Sequence, residues 1–204
     1  MRRDLAARLA GYRDTLGPQR RFLAQLIGEP SAEVVAMLER PRRSASVLIP
    51  IIDGGAGPTM LFTERAQHLA HHPGQVAFPG GRIESADPDA LAAALREANE
   101  EVGLRPEQVD VLGDIGVHIT GTGFAITPFV ALVDPGFKPV IDASEVEAVF
   151  EVPLAFLLDP ANCHRIERER LGNRFTSYEF HWDRWRIWGA TAAMVLTLRD
   201  CLKT

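Results

Sequence analysis

The stretch Arg96-Glu97-Ala98-Asn99-Glu100-Glu101-Val102-Gly103-Leu104 decides how this chain is read. At roughly 100° per residue along an α-helix, Glu97, Glu100 and Glu101 share an arc of about 100°. Leu91, Leu95, Ala98 and Val102 gather on another side of the same cylinder. One face packs and the other carries charge. An ordinary solvated face is the plain alternative for a glutamate-rich helix. Like charges at i,i+3 and i,i+4, however, repel by roughly a few tenths of a kcal/mol per pair. A hard divalent cation offsets that repulsion, so the helix is read as a magnesium site.

The flanking sequence sets the frame. Asp87-Pro88 reads as an Asp N-cap with Pro at the first helical position, and Gly103 is placed to end the helix. Upstream, residues 46–52 and 59–65 are β-rich runs around Gly54-Gly55-Ala56-Gly57-Pro58, a hairpin-like connection. A short strand is expected at 75–78. Further strands are expected at 110–120, 124–133, 147–152 and 162–168, and a closing helix at 190–202. Before all of these, two helices are expected over 3–27 and 31–40, broken at Gly28-Glu29-Pro30 and closed by Arg40-Pro41-Arg42-Arg43. Strands, one central helix, more strands and a last helix describe a mixed sheet packed between helices, of α/β or α+β class.

Gly80-Gly81 precedes the acidic helix, and before it run Leu61-Phe62-Thr63-Glu64-Arg65 and His72-Pro73-Gly74-Gln75-Val76-Ala77-Phe78-Pro79. The helix resembles the box of the Nudix hydrolases, which cleave a diphosphate linked to another moiety. The usual box has Gly, five residues, Glu and seven residues before its Arg-Glu-apolar-x-Glu-Glu-x-Gly core. Here Asp87 stands six positions after Gly81, and eight residues separate it from Arg96, so the first half of the box is altered. The upstream segment is similar to the extra signature of the coenzyme A pyrophosphatase branch, with Phe62 replacing a leucine. Further matches fall at Thr127-Pro128, at Glu145-Val146 with Val149-Phe150, and at Trp188-Gly189 with Thr191-Ala192. The resemblance runs from about Ser44 to about Leu202. It implies a Nudix α/β/α sandwich over residues 44–204, preceded by a helical extension over 1–43.

Pyrophosphate hydrolysis needs a water nucleophile and neutralisation of charge on non-bridging oxygens, and Mg2+ or Mn2+ provides both. Glu97 and Glu101 are expected as direct ligands because i,i+4 stacking aims them at one point, with Glu100 a ligand to the same or a second ion. Arg96 could orient a carboxylate by paired hydrogen bonds, or lie on a solvated flank. Gly80 and Gly81 would let backbone approach the diphosphate without a Cβ in the way, or form a plain turn. Glu145 precedes a strand and matches a glutamate common to the branch, so it is the expected general base. A surface acid among Asp142, Glu145 and Glu147 is the alternative, and Glu97 the competing base. Arg65 and Arg82 are expected to contact phosphate. Arg40, Arg42 and Arg43, or Arg165, Arg168 and Arg170, could meet a 3′-phosphate or be merely solvated. His71 and His72 read as loop residues before ligands, and Tyr178, Phe180, Trp182, Trp185 and Trp188 as core or dimer contacts, which leaves a homodimer open.

The implied activity is metal-dependent cleavage of coenzyme A or acyl-CoA to 3′,5′-ADP and 4′-phosphopantetheine or its acylated form. The same chemistry on ADP-ribose or NADH is the alternative, and a non-hydrolytic nucleotide-sensing module a further one. Bulk properties agree with a small-molecule substrate. At 204 residues and 46% hydrophobic content the chain can bury a sizeable core. A net charge of −5 argues against general nucleic-acid binding, although residues 1–43 hold nine arginines against five acids, a local +4 suited to a polyanion. No apolar run is long enough to span a membrane. Cys163 and Cys201 are too few for a disulfide framework or a zinc site, which suits a reducing cytoplasm. The arginine-rich start could open a mitochondrial presequence, but Asp4 and Asp14 favour a structured helix.

Overall fold

The computed structural model describes residues 2–12, 15–55 and 57–203. Its centre is a sheet built from strands Arg43–Gly54 (β2), Gly57–Arg65 (β3), Val76–Ala77 (β4), Val109–Asp114 (β6) and Phe124–Val133 (β8), in the order β4-β3-β2-β8-β6. Gly80–Arg82 (β5) pairs with β2, His118–Ile119 (β7) with β8, and Val146–Pro153 (β9) with β3. Strands β2 and β8 run parallel over ten registered pairs, from Arg43↔Phe124 to Ile52↔Val133, while the other pairings in this sheet are antiparallel. This is the mixed sheet expected.

β2 is buried from Ala45 to Ile52 because both of its faces are covered. Leu48 and Ile52 pack with Leu61, Ala94, Ala98 and Val102 beneath the helix Ala90–Val102 (α4). Val47, Ile49 and Ile51 face the opposite layer, built from the helices Arg2–Gly11 (α1), Leu154–Leu158 (α5) and Gly189–Lys203 (α6). The result is an α/β/α sandwich. A smaller sheet of Leu26–Ile27 (β1), His164–Arg170 (β10), Asn173–Trp182 (β11) and Trp185–Trp188 (β12) flanks it. The helices Gly17–Leu23 (α2) and Ala32–Glu39 (α3) join this flank through a cluster of Phe22, Val34, Ile119 and Phe175. Leu5 and Leu9 of α1 sit in the main core, so residues before 43 share packing with the sandwich.

Four expectations are corrected. The helix expected over 3–27 is two helices and a short strand, because Gly17 takes a left-handed φ of 67° ahead of Pro18. Residues 13 and 14 of that span lie outside the described residues, as does Ala56 of the β2–β3 connection. The strand expected at 110–120 splits into β6 and β7, where Gly113 and Gly116 adopt positive φ and the ladder shifts register. Residues 173–188, expected only to supply aromatic contacts, form β11 and β12 around a turn at Asp183 with φ 51°. The N-cap of α4 is Asp89, whose carboxylate accepts from Ala92 N–H at 2.8 Å, and not Asp87. Gly103 ends α4 in the left-handed region at φ 71°, as expected.

Candidate active site

Three chain segments meet beside α4. The helix offers Glu97 and Glu101, the β5 turn brings Gly80 and Gly81 beneath them, and the loop before β9 delivers Glu145. Carboxylate oxygens of Glu97, Glu101 and Glu145 lie within 4.8 Å of one another. Glu100 stands outside this group: it is exposed and turned to Arg96, whose Nη1 donates to it at 2.8 Å.

The glycines are used against the protein's own atoms. At Gly80, with φ 152°, a Cβ would lie 2.6 Å from Val47 Cα and overlap the Ser46 carbonyl, so only glycine lets β5 pair so closely with β2. A Cβ on Gly81 would come within 2.7 Å of Glu97 Oε2. Gly80 N–H donates to Glu101 Oε2 at 3.1 Å. The double glycine therefore seats the two helix carboxylates.

Glu101 is only 3% exposed. Burial pushes its carboxyl up to about 8; the Gly80 N–H pulls back against this and the neighbouring Glu97 adds to it. Its nearest cation, Arg65 at the end of β3, is 3.9 Å away and too far for a hydrogen bond. Burial likewise raises Glu97, opposed by Arg96. Three hard oxygen donors converge with their charge under-compensated, and this set could hold a Mg2+-like cation, whose charge would offset both burial and mutual repulsion.

Arg96 is held in turn by Asp87. Its Nε and Nη2 donate to the two Asp87 oxygens at 2.9 and 3.0 Å, and its Nη1 reaches Glu97 at 3.1 Å. The extra residue in the box is absorbed by the loop 83–89, where Glu84 N–H also donates to Asp87. These hydrogen bonds, Arg96 foremost, hold Asp87 below the usual carboxylate range. Asp87 thus acts as a clamp on the arginine, a paired contact of high geometric specificity.

Glu145 owes its position to a turn that strand and helix patterns do not reveal. Asp142 Oδ1 accepts from Ser144 N–H at 2.8 Å and from Ser144 Oγ at 2.7 Å, and Asp142 N–H donates to the Glu101 carbonyl at 3.1 Å. Glu145 and Val146 N–H donate back to the Asp142 carbonyl, while Ala66 N–H donates to the Glu145 carbonyl at 2.9 Å. Asp-x-Ser is the mark of such a turn and the signal by which the sequence announces it. Among the described residues neither His71 nor His72 joins this group of carboxylates, and His72 sits in a left-handed turn at φ 57°. His68 meets the Ser144 carbonyl instead, at 3.1 Å.

The upstream signature divides in two. Phe62 and Phe78 are buried and stack at 4.8 Å, Phe150 stacks on Phe62 at 5.6 Å and on Trp185 at 3.8 Å, and Thr191 Oγ1 donates to the Val76 carbonyl. These residues fix the segment. Arg65, Gly80 and Gly81 reach the acids, and Arg82 lies at the rim, 5.8 Å from the Phe124 ring centroid, its carbonyl accepting from Arg96. Arg168 is engaged elsewhere, over Trp188 and beside Glu179, and Arg165 reaches Thr176.

The chain is similar to several known proteins. A NUDIX domain family model matches residues 41–170. An uncharacterized Nudix hydrolase NudL from Enterobacter sp. (strain 638) is 40% identical over 157 residues, covering 77% of this chain and 81% of that protein. The same-named protein of Salmonella paratyphi B is 41% identical over an equal span. Among solved structures, a C. elegans Ap4A hydrolase binary complex is 16% identical, with a TM-score of 0.48 over 54% of this chain and 80% of that one. The NUDIX domain of Shewanella oneidensis NrtR complexed with ADP ribose is 18% identical, with a TM-score of 0.45 over 64% and 87%. With a family model covering more than half of its length and relatives at this level of identity, the chain belongs to the Nudix family.

Proposed function

We propose that this chain hydrolyses the pyrophosphate bond of coenzyme A or an acyl-CoA, giving 3′,5′-ADP and 4′-phosphopantetheine or its acylated form. The observation that carries the chemistry is the convergence of Glu97, Glu101 and Glu145 beside the Gly80-Gly81 turn. Nudix hydrolases generally use divalent metal ions, and in this reading Glu97 and Glu101 hold Mg2+ or Mn2+. Such an ion, when bound, supplies charge neutralisation and an activated water. Glu145 is the exposed member of the three; it takes the proton of the attacking water as general base. Arg65, beside Glu101 without a hydrogen bond to it, attracts a phosphate oxygen, while Arg96, clamped by Asp87, keeps Glu97 from swinging out.

The choice of coenzyme A rests on the signature from Leu61 to Gly81, whose buried aromatics set the turn that carries the site glycines. The test is a substrate panel with Mg2+ and Mn2+, products resolved by mass spectrometry. Coenzyme A and acyl-CoA should be split at the pyrophosphate with the highest kcat/KM. Faster cleavage of ADP-ribose or NADH would reassign the substrate and leave the chemistry standing. No metal-dependent cleavage of any diphosphate would remove both.

A further inference from the structure

A second cleft, of about 800 Å³, opens between α3 and the turn 120–123. Its volume falls within the range of small-molecule sites, about 300–1,000 Å³. Arg40, Arg42 and Arg43 line it together with Thr122 and Gly123. Two of these guanidiniums are fixed by main-chain carbonyls: Arg42 Nη2 donates to Leu38 O at 2.6 Å and Arg43 Nη2 to Thr122 O at 3.0 Å. Arg42 Nε is buried without a hydrogen-bond partner. A fourth guanidinium, that of Arg170, lies against Gly121, where a Cβ would approach its Cζ to 3.0 Å. Glu33 shares the cleft, yet among the described residues it makes no ion pair with any of these arginines. Arginines held by neutral acceptors keep their full charge and their planar forks for an anion.

The cleft is joined to the acid site. Arg43 lies over the Phe124 ring at 4.0 Å and Arg82 approaches the same ring at 5.8 Å, so one aromatic carries a cation from each site. Arg82 in turn takes the Arg96 guanidinium on its carbonyl at 3.2 Å. Along β2, Ser46 is registered opposite Gly81, beneath Glu97, and Arg43 is three residues earlier, about 10 Å at the rise of a strand.

We propose that this cleft binds a phosphomonoester on the ribose of the substrate while the diphosphate lies at Glu97, Glu101 and Glu145. The placement of the diphosphate rests on the function proposed above; the anion site itself rests on the arginines. Calorimetric titration of the protein with 3′,5′-ADP and with 5′-AMP, which differ only by the 3′-phosphate, tests it. The 3′-phosphorylated nucleotide should bind roughly tenfold to a hundredfold more tightly, the size of a charge-assisted contact. In the Arg40→Ala/Arg43→Ala protein that ratio should fall toward one. Arg40→Ala alone, at an exposed position whose loss disturbs no packing, should narrow the ratio and covers the case in which the double variant does not fold. A wild-type ratio near one, or a ratio unchanged in both variants, overturns the proposal. The readout needs no turnover, so the two readings fail separately. If coenzyme A is not cleaved but the ratio holds, the substrate assignment falls and the cleft stands. If coenzyme A is cleaved and the ratio is one, the cleft falls alone.

Discussion

Two nearly buried glutamates of this protein, Glu101 and Glu179, meet opposite fates. Glu179, on β11, accepts from Arg186 through Nε at 2.8 Å and through Nη2, and from His181 at 2.9 Å, with Arg168 at 3.6 Å. Burial pushes its carboxyl up, but the Arg186 and His181 hydrogen bonds outweigh that and leave it below its usual value. Glu101 has one backbone N–H and a distant arginine, faces two more carboxylates, and is pushed up to about 8. The same side chain is structurally satisfied in one place and left wanting a cation in the other. A buried charge without a partner is expensive, and such sites gather where function is performed.

The contrast breaks first at Glu101. Glu101→Gln keeps the volume and the Gly80 hydrogen bond but removes the charge, and it should lower kcat/KM on the order of 10³-fold with little loss of folding. Wild-type turnover at saturating Mg2+ would show that the unmet charge has no catalytic use.

Glu145 sharpens the roles within the site. As general base its replacement by Gln should lower kcat about 10²-fold or more, with the Mg2+ concentration for half-maximal activity nearly constant. A large rise in that concentration would instead make it a third ligand, which its distance to Glu97 and Glu101 permits.

How much of this is legible in the sequence differs between the helix and the loops. The α4 face is readable because helical spacing is rigid: positions 97, 101 and 103 can be assigned from periodicity and one glycine, and the strands at 46–52, 59–65 and 124–133 from apolar runs. The loop side is not. Asp87 looks like a cap because Pro88 follows it, yet two more residues of loop let it reach Arg96 while Asp89 caps the helix. Glycines 80 and 81 are legible as necessary but not for what: their neighbours are Val47 and Glu97, which are distant in sequence. β11 and β12 escape because β11 buries the adjacent Glu179 and Phe180, which breaks strand alternation and makes sense only once Arg168, His181 and Arg186 are seen around the carboxylate.

Proton linkage sharpens the comparison in the metal-free protein. Glu101 binds its proton more tightly folded, near 8, than unfolded, near its ordinary value of 4.5. Between those values the folded state holds more protons, so stability must fall as pH rises. The metal-free wild type and Glu101→Gln should therefore melt together near pH ~5, with the variant higher by roughly several degrees toward pH ~9. Mg2+ should raise the wild type most at the alkaline end, where Glu101 is ready to bind it. Melting curves that run parallel across the range would place the raised value elsewhere, with Glu97 the first alternative.

The smallest effect belongs to the satisfied glutamate. Glu179→Ala leaves Arg186, Arg168 and His181 without their common acceptor, but Arg186 and His181 are open to water, so the loss is discounted to about 1 kcal/mol. For a chain of this size that is about 2–4 °C in Tm. Turnover should hold, because the acid site draws its residues from α4, the β5 turn and the loop before β9. Glu179 opposes Trp188 in the β11–β12 ladder, and Trp188 takes Arg168 and Arg186 on its ring, so the variant should loosen that edge first. Hydrogen exchange should rise along β11 and β12 while α4 stays protected. A fall in kcat matching that of Glu101→Gln would mean that the two glutamates belong to one coupled network, and that ion-pair satisfaction does not separate structure from function in this fold.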